Sequence, residues 1–276
     1  MVCCGLTTLD LLYEVDAPPG PDQKVVARDM LLDVGGPAAN AARVVAALGG
    51  RAALVTALGA GPLATVLRAT LAGIDVADLA PASHRPPIST VMVGGGGRAV
   101  VSVNATRLAG TSPAHLPEHT AALLVDGHLM DAAIALAAEA RRTGVPVVFD
   151  GGSWKAGTER LLPHVDVAAV SADFAPPWEG DVLAGLLAAG AGVAVRTDGA
   201  RPVEVRTPTA GFTVAVPAAT VVDTLGAGDV FHGALALAIA RGEEIGTAVG
   251  RAAAVASRSV GHRGVLGFQS SDSAEA

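Results

Sequence analysis

Asp223-Thr224-Leu225-Gly226-Ala227-Gly228-Asp229 runs directly into Val230-Phe231-His232-Gly233-Ala234-Leu235, a glycine-bent acidic loop followed by an apolar helical stretch. The glycines let the backbone turn tightly. The first N–H groups of the helix that follows have no acceptor within the helix, so they point outward. Those donors and the positive end of the helix dipole make an anion site of the kind that holds phosphate. Asp229 stands at the opening of that helix. A carboxylate beside bound phosphate is repelled unless it has a task, and the task that suits it is to take the proton of a hydroxyl attacking that phosphate. Without a ligand, the same residues read as an Asp-capped helix after a glycine turn, so the rest of the chain has to decide.

Outward from this loop, apolar strand-like runs alternate with helical ones. Val2–Cys4 predicts a short strand, and the Ala-rich stretch 37–48 predicts a helix closed by Gly49-Gly50. Strands are expected over 52–58, 123–125, 145–149, 167–170 and 193–196. Helices are expected over 63–71, 131–142, 182–189, 227–241 and 244–259. This order predicts an α/β sandwich of three layers, with a mostly parallel central sheet and helices on both faces. Two segments break the rhythm. Residues 24–32 read as a strand, and 88–103 read as a hairpin turning at Gly94-Gly95-Gly96-Gly97. They predict a small separate sheet, placed as a lid over a site. One domain over 1–269 is expected, with a flexible polar tail over 270–276.

Two further motifs lie near the start. Gly35-Gly36-Pro37-Ala38-Ala39-Asn40 puts a glycine pair at a helix entry and an amide one turn in. The glycines permit close approach of a ligand, and Asn40 both donates and accepts hydrogen bonds with a polyol. Asp10 follows the first strand, and carboxyl ends of parallel strands are where α/β sheets bind ligands. Taken singly, these residues read equally as a solvated loop and a solvated helix face.

Together the three features resemble the ribokinase-like, or PfkB, family of sugar kinases, over a span from Gly5 to about Gly264. The resemblance implies transfer of a phosphoryl group from ATP, with Mg²⁺, to a hydroxyl of a sugar or nucleoside. It implies Asp229 as the general base and Gly226, Ala227 and Gly228 as the anion hole. It implies Asp10, Gly35, Gly36 and Asn40 as holders of the sugar hydroxyls. Val195-Arg196-Thr197-Asp198-Gly199 is similar to the family's strand and turn beneath the nucleotide, which makes Thr197 and Gly199 the nucleotide contacts. Asp223 matches the acid that helps hold a monovalent cation such as K⁺. The family's Asn-x-x-Glu is replaced by Ser171-Ala172-Asp173-Phe174, leaving Asp173 as the residue to touch the waters of Mg²⁺. A nucleoside kinase and a sugar-binding regulator without turnover are the alternatives within this fold.

Composition narrows the partners. Hydrophobic residues are 51% of the 276, which is ample for a large core. Aromatics are 3% and the net charge is −7, the wrong balance for stacking or neutralising nucleic acid. No apolar run reaches the roughly 18 residues of a membrane span without a break. Cys3 and Cys4 are adjacent and cannot make an ordinary disulfide framework, so a reducing, cytoplasmic setting is expected. Apolar lid strands invite a second subunit, so a homodimer through the lid is expected. Gly59-Ala60-Gly61-Pro62-Leu63-Ala64 fits a loose dinucleotide fingerprint, but its proline removes an N–H where phosphate would sit.

Overall fold

The computed structural model of the chain describes residues 1–103 and 114–271. The first half holds β1 (Val2–Cys4), β2 (Thr8–Glu14), β3 (Asp29–Gly35), α1 (Pro37–Ala47), β4 (Ala53–Thr56) and α2 (Pro62–Thr70). It continues through β5 (Asp75–Asp78), β6 (Ile88–Gly94), β7 (Gly97–Ser102), β8 (Leu123–Val125) and α3 (Met130–Thr143). Next come β9 (Val147–Gly151), α4 (Thr158–Leu161), β10 (Val167–Ser171), α5 (Val182–Ala188) and β11 (Val193–Thr197). The chain then adds β12 (Val203–Arg206), β13 (Gly211–Val214), α6 (Ala227–Ala240) and α7 (Ile245–Ser259). The tail expected over 270–276 lies outside the described residues from 272 onward.

Nine strands form the main sheet, in the order β13-β12-β11-β10-β9-β8-β1-β4-β5. It is parallel from β11 to β5, with the antiparallel β12 and β13 added at one edge. Because strand side chains alternate between faces, neighbouring residues enter different cores. Val2, Cys4, Leu123, Val125, Val147 and Phe149 fall in one apolar cluster with α3 and α5. Cys3, Leu124 and Val148 fall in the other, with α1, α6 and α7. Three layers follow from this division, as the sequence led us to expect. The adjacent cysteines are free, and burial pushes the Cys3 thiol up to about 12. They act as small apolar residues.

Helix α6 is buried on nearly all sides, between α1, α7 and the sheet. At Gly233 an added Cβ would meet the Ala41 backbone at 2.9 Å, so α1 and α6 cross with their main chains almost touching. Small residues at Ala38, Ala39, Ala41 and Ala42 leave room for that approach. This crossing brings the start of α6 against the start of α1.

A second sheet stands apart, in the order β3-β2-β6-β7. Its strands differ from expectation in two ways. Residues 24–27 do not pair, Arg28 N–H donates to Glu14 O at 2.7 Å, and the strand itself is Asp29–Gly35. Lys24-Val25-Val26-Ala27 has β-forming residues but no partner, and Val26 is 85% exposed. The stretch Thr8–Glu14, absent from the expected strands, forms the centre of this sheet between β3 and β6. The hairpin β6–β7 turns at Gly95-Gly96, both with positive φ, which suits the twist of a two-residue turn.

Candidate active site

All strands from β1 to β11 that run parallel end on the same edge of the main sheet, and loops carrying acids leave from that edge. Between this edge and the small sheet lies a cavity of about 400 Å³. Its lining includes Asp10, Gly36, Asn40, Asp223, Gly226 and Asp229, so it gathers most of the residues the sequence singled out.

Asp229 sits in the first turn of α6, partly open to the cavity. Its Oδ2 accepts a hydrogen bond of 2.7 Å from Asn40 Nδ2, across 189 residues of sequence. Burial first, and then the negative charge of Asp150, push the Asp229 carboxyl up to about 7. The Asn40 bond and the charge of His232 work the other way, and Asp126 adds a little to the rise. The arrangement yields a carboxylate that changes protonation near neutral pH, which is where a general base is most effective.

The bend before the helix is Gly226, at φ 73°, a conformation that favours glycine. An added Cβ there would also meet Val265 Cγ2 at 2.5 Å. The amides of Gly228 and Asp229 find no acceptor among the described residues, whereas the Ala227 N–H donates a long bond of 3.3 Å to Thr224 O. Asp223 ties this loop down. Its Oδ1 accepts from Leu225 N at 2.9 Å and its Oδ2 from Gly264 N at 3.1 Å.

Asp10 is not at the carboxyl end of a main-sheet strand, as expected, but in the middle of β2 in the small sheet. There it accepts from Thr8 Oγ1 at 2.6 Å, and its carboxylate packs so closely on Gly35 that a Cβ would overlap it. Burial raises the Asp10 value, the nearby charge of Asp33 adds to the rise, and Thr8, Ser89 and Arg43 oppose it. Gly36 caps α1. Arg43 holds Asp33 at 3.0 Å and donates to Val34 O at 2.9 Å, which joins α1 to β3.

The pairing register sorts the cavity-facing residues of the small sheet into three rows. Asp33, Asp10, Ser89 and Ser102 lie side by side nearest the main body. Leu31, Leu12, Val91 and Val100 form the next row, and Asp29, Glu14 and Val93 the outer one. Rows two residues apart are separated by about 7 Å. A ligand therefore meets polar groups, then an apolar band, then charge. At the mouth, Arg263 reaches Glu14 at 2.9 Å.

Thr197 and Gly199 lie at the carboxyl end of β11 and do not line the cavity. Asp173 is exposed in the turn after β10. Among the described residues no cluster of three or more His, Cys, Asp or Glu could hold a metal ion by itself. In the Gly59 loop, Asp78 accepts from the amides of Leu58 and Gly59, both at 2.9 Å. Two amides at the start of that loop are thus already taken by a protein carboxylate.

Three site residues escaped the sequence reading as functional groups. Asp126, 1% exposed, accepts from Leu6 N at 2.8 Å, Ala38 N at 3.2 Å and His128 N at 2.9 Å, fixing the entry to α1. Asp150 ends β9 and faces His232 on α6. The signal was available: Leu123-Leu124-Val125-Asp126 and Val147-Val148-Phe149-Asp150 are buried strands that each close on an acid. Nearby, burial lowers the value of His128, with Lys155 adding to the effect against Asp126 and Asp150.

A fold of this kind, with an acid at a glycine-bent helix N-terminus beneath a small sheet, belongs to a kinase class, and residues 1–271 match the family model described as pfkB family carbohydrate kinase. The chain belongs to that family. It is similar to a putative ribokinase from Agrobacterium tumefaciens, at 28% identity and a TM-score of 0.87, over 99% of this chain and 96% of that one. Arabidopsis thaliana ribokinase, solved with ribose and ATP, shares the fold at 21% identity, TM-score 0.78, over 97% and 94% of the two chains. Burkholderia thailandensis nucleoside kinase, solved with inosine, does so at 17% identity, TM-score 0.73, over 97% and 93%. No helix among the described residues is long and apolar enough to cross a membrane.

Proposed function

We propose that this chain transfers the γ-phosphoryl group of ATP to a hydroxyl of a small carbohydrate, with Asp229 as general base. One observation carries the reading. A carboxylate poised near pH 7 sits at the start of α6, on the floor of a cavity whose nearest row is polar. Asp229 orients the hydroxyl and takes its proton as the oxygen attacks phosphorus and the bond to ADP breaks. Phosphoryl transfer has a loose transition state, so holding the partners in line and offsetting charge matter most. The free amides of Gly228 and Asp229 face the transferring group, and Gly226 sets their direction. Ala227 contributes once its long bond to Thr224 gives way. Asp10, backed by Thr8, and Asn40 hold sugar hydroxyls, while Gly35 and Gly36 keep the way clear. Thr197 and Gly199, further along the same edge of the sheet, carry the nucleotide.

Mg²⁺ fits this donor set. A hard ion that keeps its waters and binds mainly through phosphates needs few carboxylates, and Asp173 stands alone and exposed on the nucleotide side. The ion would neutralise charge on the phosphates. Asp223 keeps unused lone pairs on both oxygens and is assigned a monovalent cation such as K⁺. The small sheet is the lid, and its outer apolar residues are the surface through which two copies would pair.

A second reading, a nucleoside as acceptor, is favoured by the band of Leu31, Leu12, Val91 and Val100. A nucleobase lays a wide flat face on such a band, whereas a free pentose offers only a few C–H groups. ADP release from MgATP, with and without K⁺, across pentoses, hexoses, ketoses and nucleosides tests both. Turnover with one class, lost in Asp229→Asn, supports the kinase and names the acceptor. Silence across the panel, with a sugar still raising the melting temperature, indicates a binding regulator instead.

A further inference from the structure

Beneath Asp229 lie two charged side chains that the proposed reaction does not use. His232 follows Asp229 by three residues on α6, so both project from one face of the helix. Its Nδ1 is 3.1 Å from Oδ2 of Asp150, at the end of β9, and both side chains are 4% exposed. The contact falls outside hydrogen-bond alignment. Asp150 Oδ2 and both ring nitrogens of His232 make no well-aligned hydrogen bond, and the Ala169 backbone is the other polar group acting on the ring. Buried polar atoms are nearly always satisfied, and a buried contact that leaves both its own atoms and the far ring nitrogen unaligned calls for a reason. Packing offers none, since a neutral pair of the same shape would be cheaper to bury.

We propose that His232 and Asp150 are a buried positioning pair that governs the protonation of Asp229 from below. This rests on the reading of Asp229 as the base only for its consequence in catalysis; the coupling itself is a property of the folded chain. The groups facing Asp229 are Asp150 from β9, His232 from its own helix, Asn40 from α1 and Asp126 from the turn after β8. Those facing His232 are Asp150 and Asp229. Asp150 and Asp126 hold the proton on Asp229, while His232 and Asn40 favour its release. Burial alone would lower the His232 value, but the charges of Asp150 and Asp229 outweigh it and the net is a rise. The neighbouring carboxylates therefore favour the protonated form of the imidazole. Removing His232 takes away only an attraction, whereas removing Asp150 takes away both a repulsion and the support for the His232 cation.

The unequal effects of the two partners make the test. Chain labelled with ¹³C at the aspartate carboxyls is titrated, and the Asp229 resonance is assigned by its absence in Asp229→Asn. His232→Asn leaves Asp150 uncompensated, so the Asp229 midpoint moves to higher pH, by about one unit. Asp150→Asn removes the repelling charge but also the support for the His232 cation, so the two changes offset and the midpoint moves less. The double variant returns near the starting value. Thermal unfolding shows which variants are folded, and His232→Gln serves where His232→Asn is not. An unmoved or lowered midpoint in the folded His232 variant overturns the proposal. The pH dependence of kcat/KM then follows the same shifts if Asp229 is the base. If the resonance moves and the rate profile does not, the pair stands and the base assignment falls.

Discussion

The two sheets that meet at the cavity are built on different terms. The edge of the main sheet is dense and charged. Asp126, Asp150 and His232 are buried there, and Asp229 is held by a 2.7 Å bond from another helix. The small sheet is open, with Leu31 55% and Val100 51% exposed on the face that lines the cavity. Chemistry that depends on one proton at one atom needs a rigid, dry setting in which charges interact strongly. Recognition by rows of side chains needs only register, and register survives changes of residue. The two tasks are therefore separable, and a change in one region should leave the other's task intact.

The largest effect is expected from Asp229→Asn. It should lower kcat by roughly 10²–10⁴ and leave KM almost unchanged. A variant with near-normal turnover would remove the main sheet from its assigned task. Asn40→Ala comes next, at about 1–3 kcal/mol, because it strips Asp229 of its donor and a hydroxyl of its partner. Since the Asn40 bond lowers the Asp229 value, its loss should also move the acidic limb of the rate profile to higher pH. A rise in KM with an unmoved limb would place Asn40 on the substrate alone.

Leu12→Ala should sharpen the division from the other side. It is expected to raise KM for a nucleoside about tenfold while leaving a free pentose unaffected, with kcat retained in both cases. An equal loss for both acceptors would mean that the apolar band supports the sheet and reads nothing. The smallest effect belongs to Arg263→Ala, at the mouth. An exposed ion pair contributes little, so KM and melting temperature should hardly change. A large rise in KM would show that the two regions are joined through Glu14.

The same division explains what the sequence reveals. The parallel strands other than β5, and the helices other than α4, stood out because buried runs of Val, Leu and Ala alternate with glycine-ended helical stretches. The loop at 223–229 and the pair at Gly35-Gly36 were visible because glycines mark places where a backbone must bend or yield. Strand β2 was hidden. Thr8-Leu9-Asp10-Leu11-Leu12-Tyr13-Glu14 is apolar at too many consecutive positions to show alternation, since Leu9 enters the main core while Leu12 faces the cavity. Strands β12 and β13 are four residues each and carry no strong pattern. The roles of Asp150 and His232 were hidden for another reason. Eighty-odd residues separate them, and only the packing of α6 on β9 brings them together.

The bond between Asn40 and Asp229 carries a consequence for how the protein is made. A ribosome delivers Asp10, Asn40 and the small sheet long before it delivers α6. Until residues 223–264 emerge, the residues proposed to hold the acceptor exist without the proposed base. The half-made chain carries Asp10 and Asn40 but not Asp229. The proposed site is completed only in a late step, when α6 docks on α1 and the bond closes.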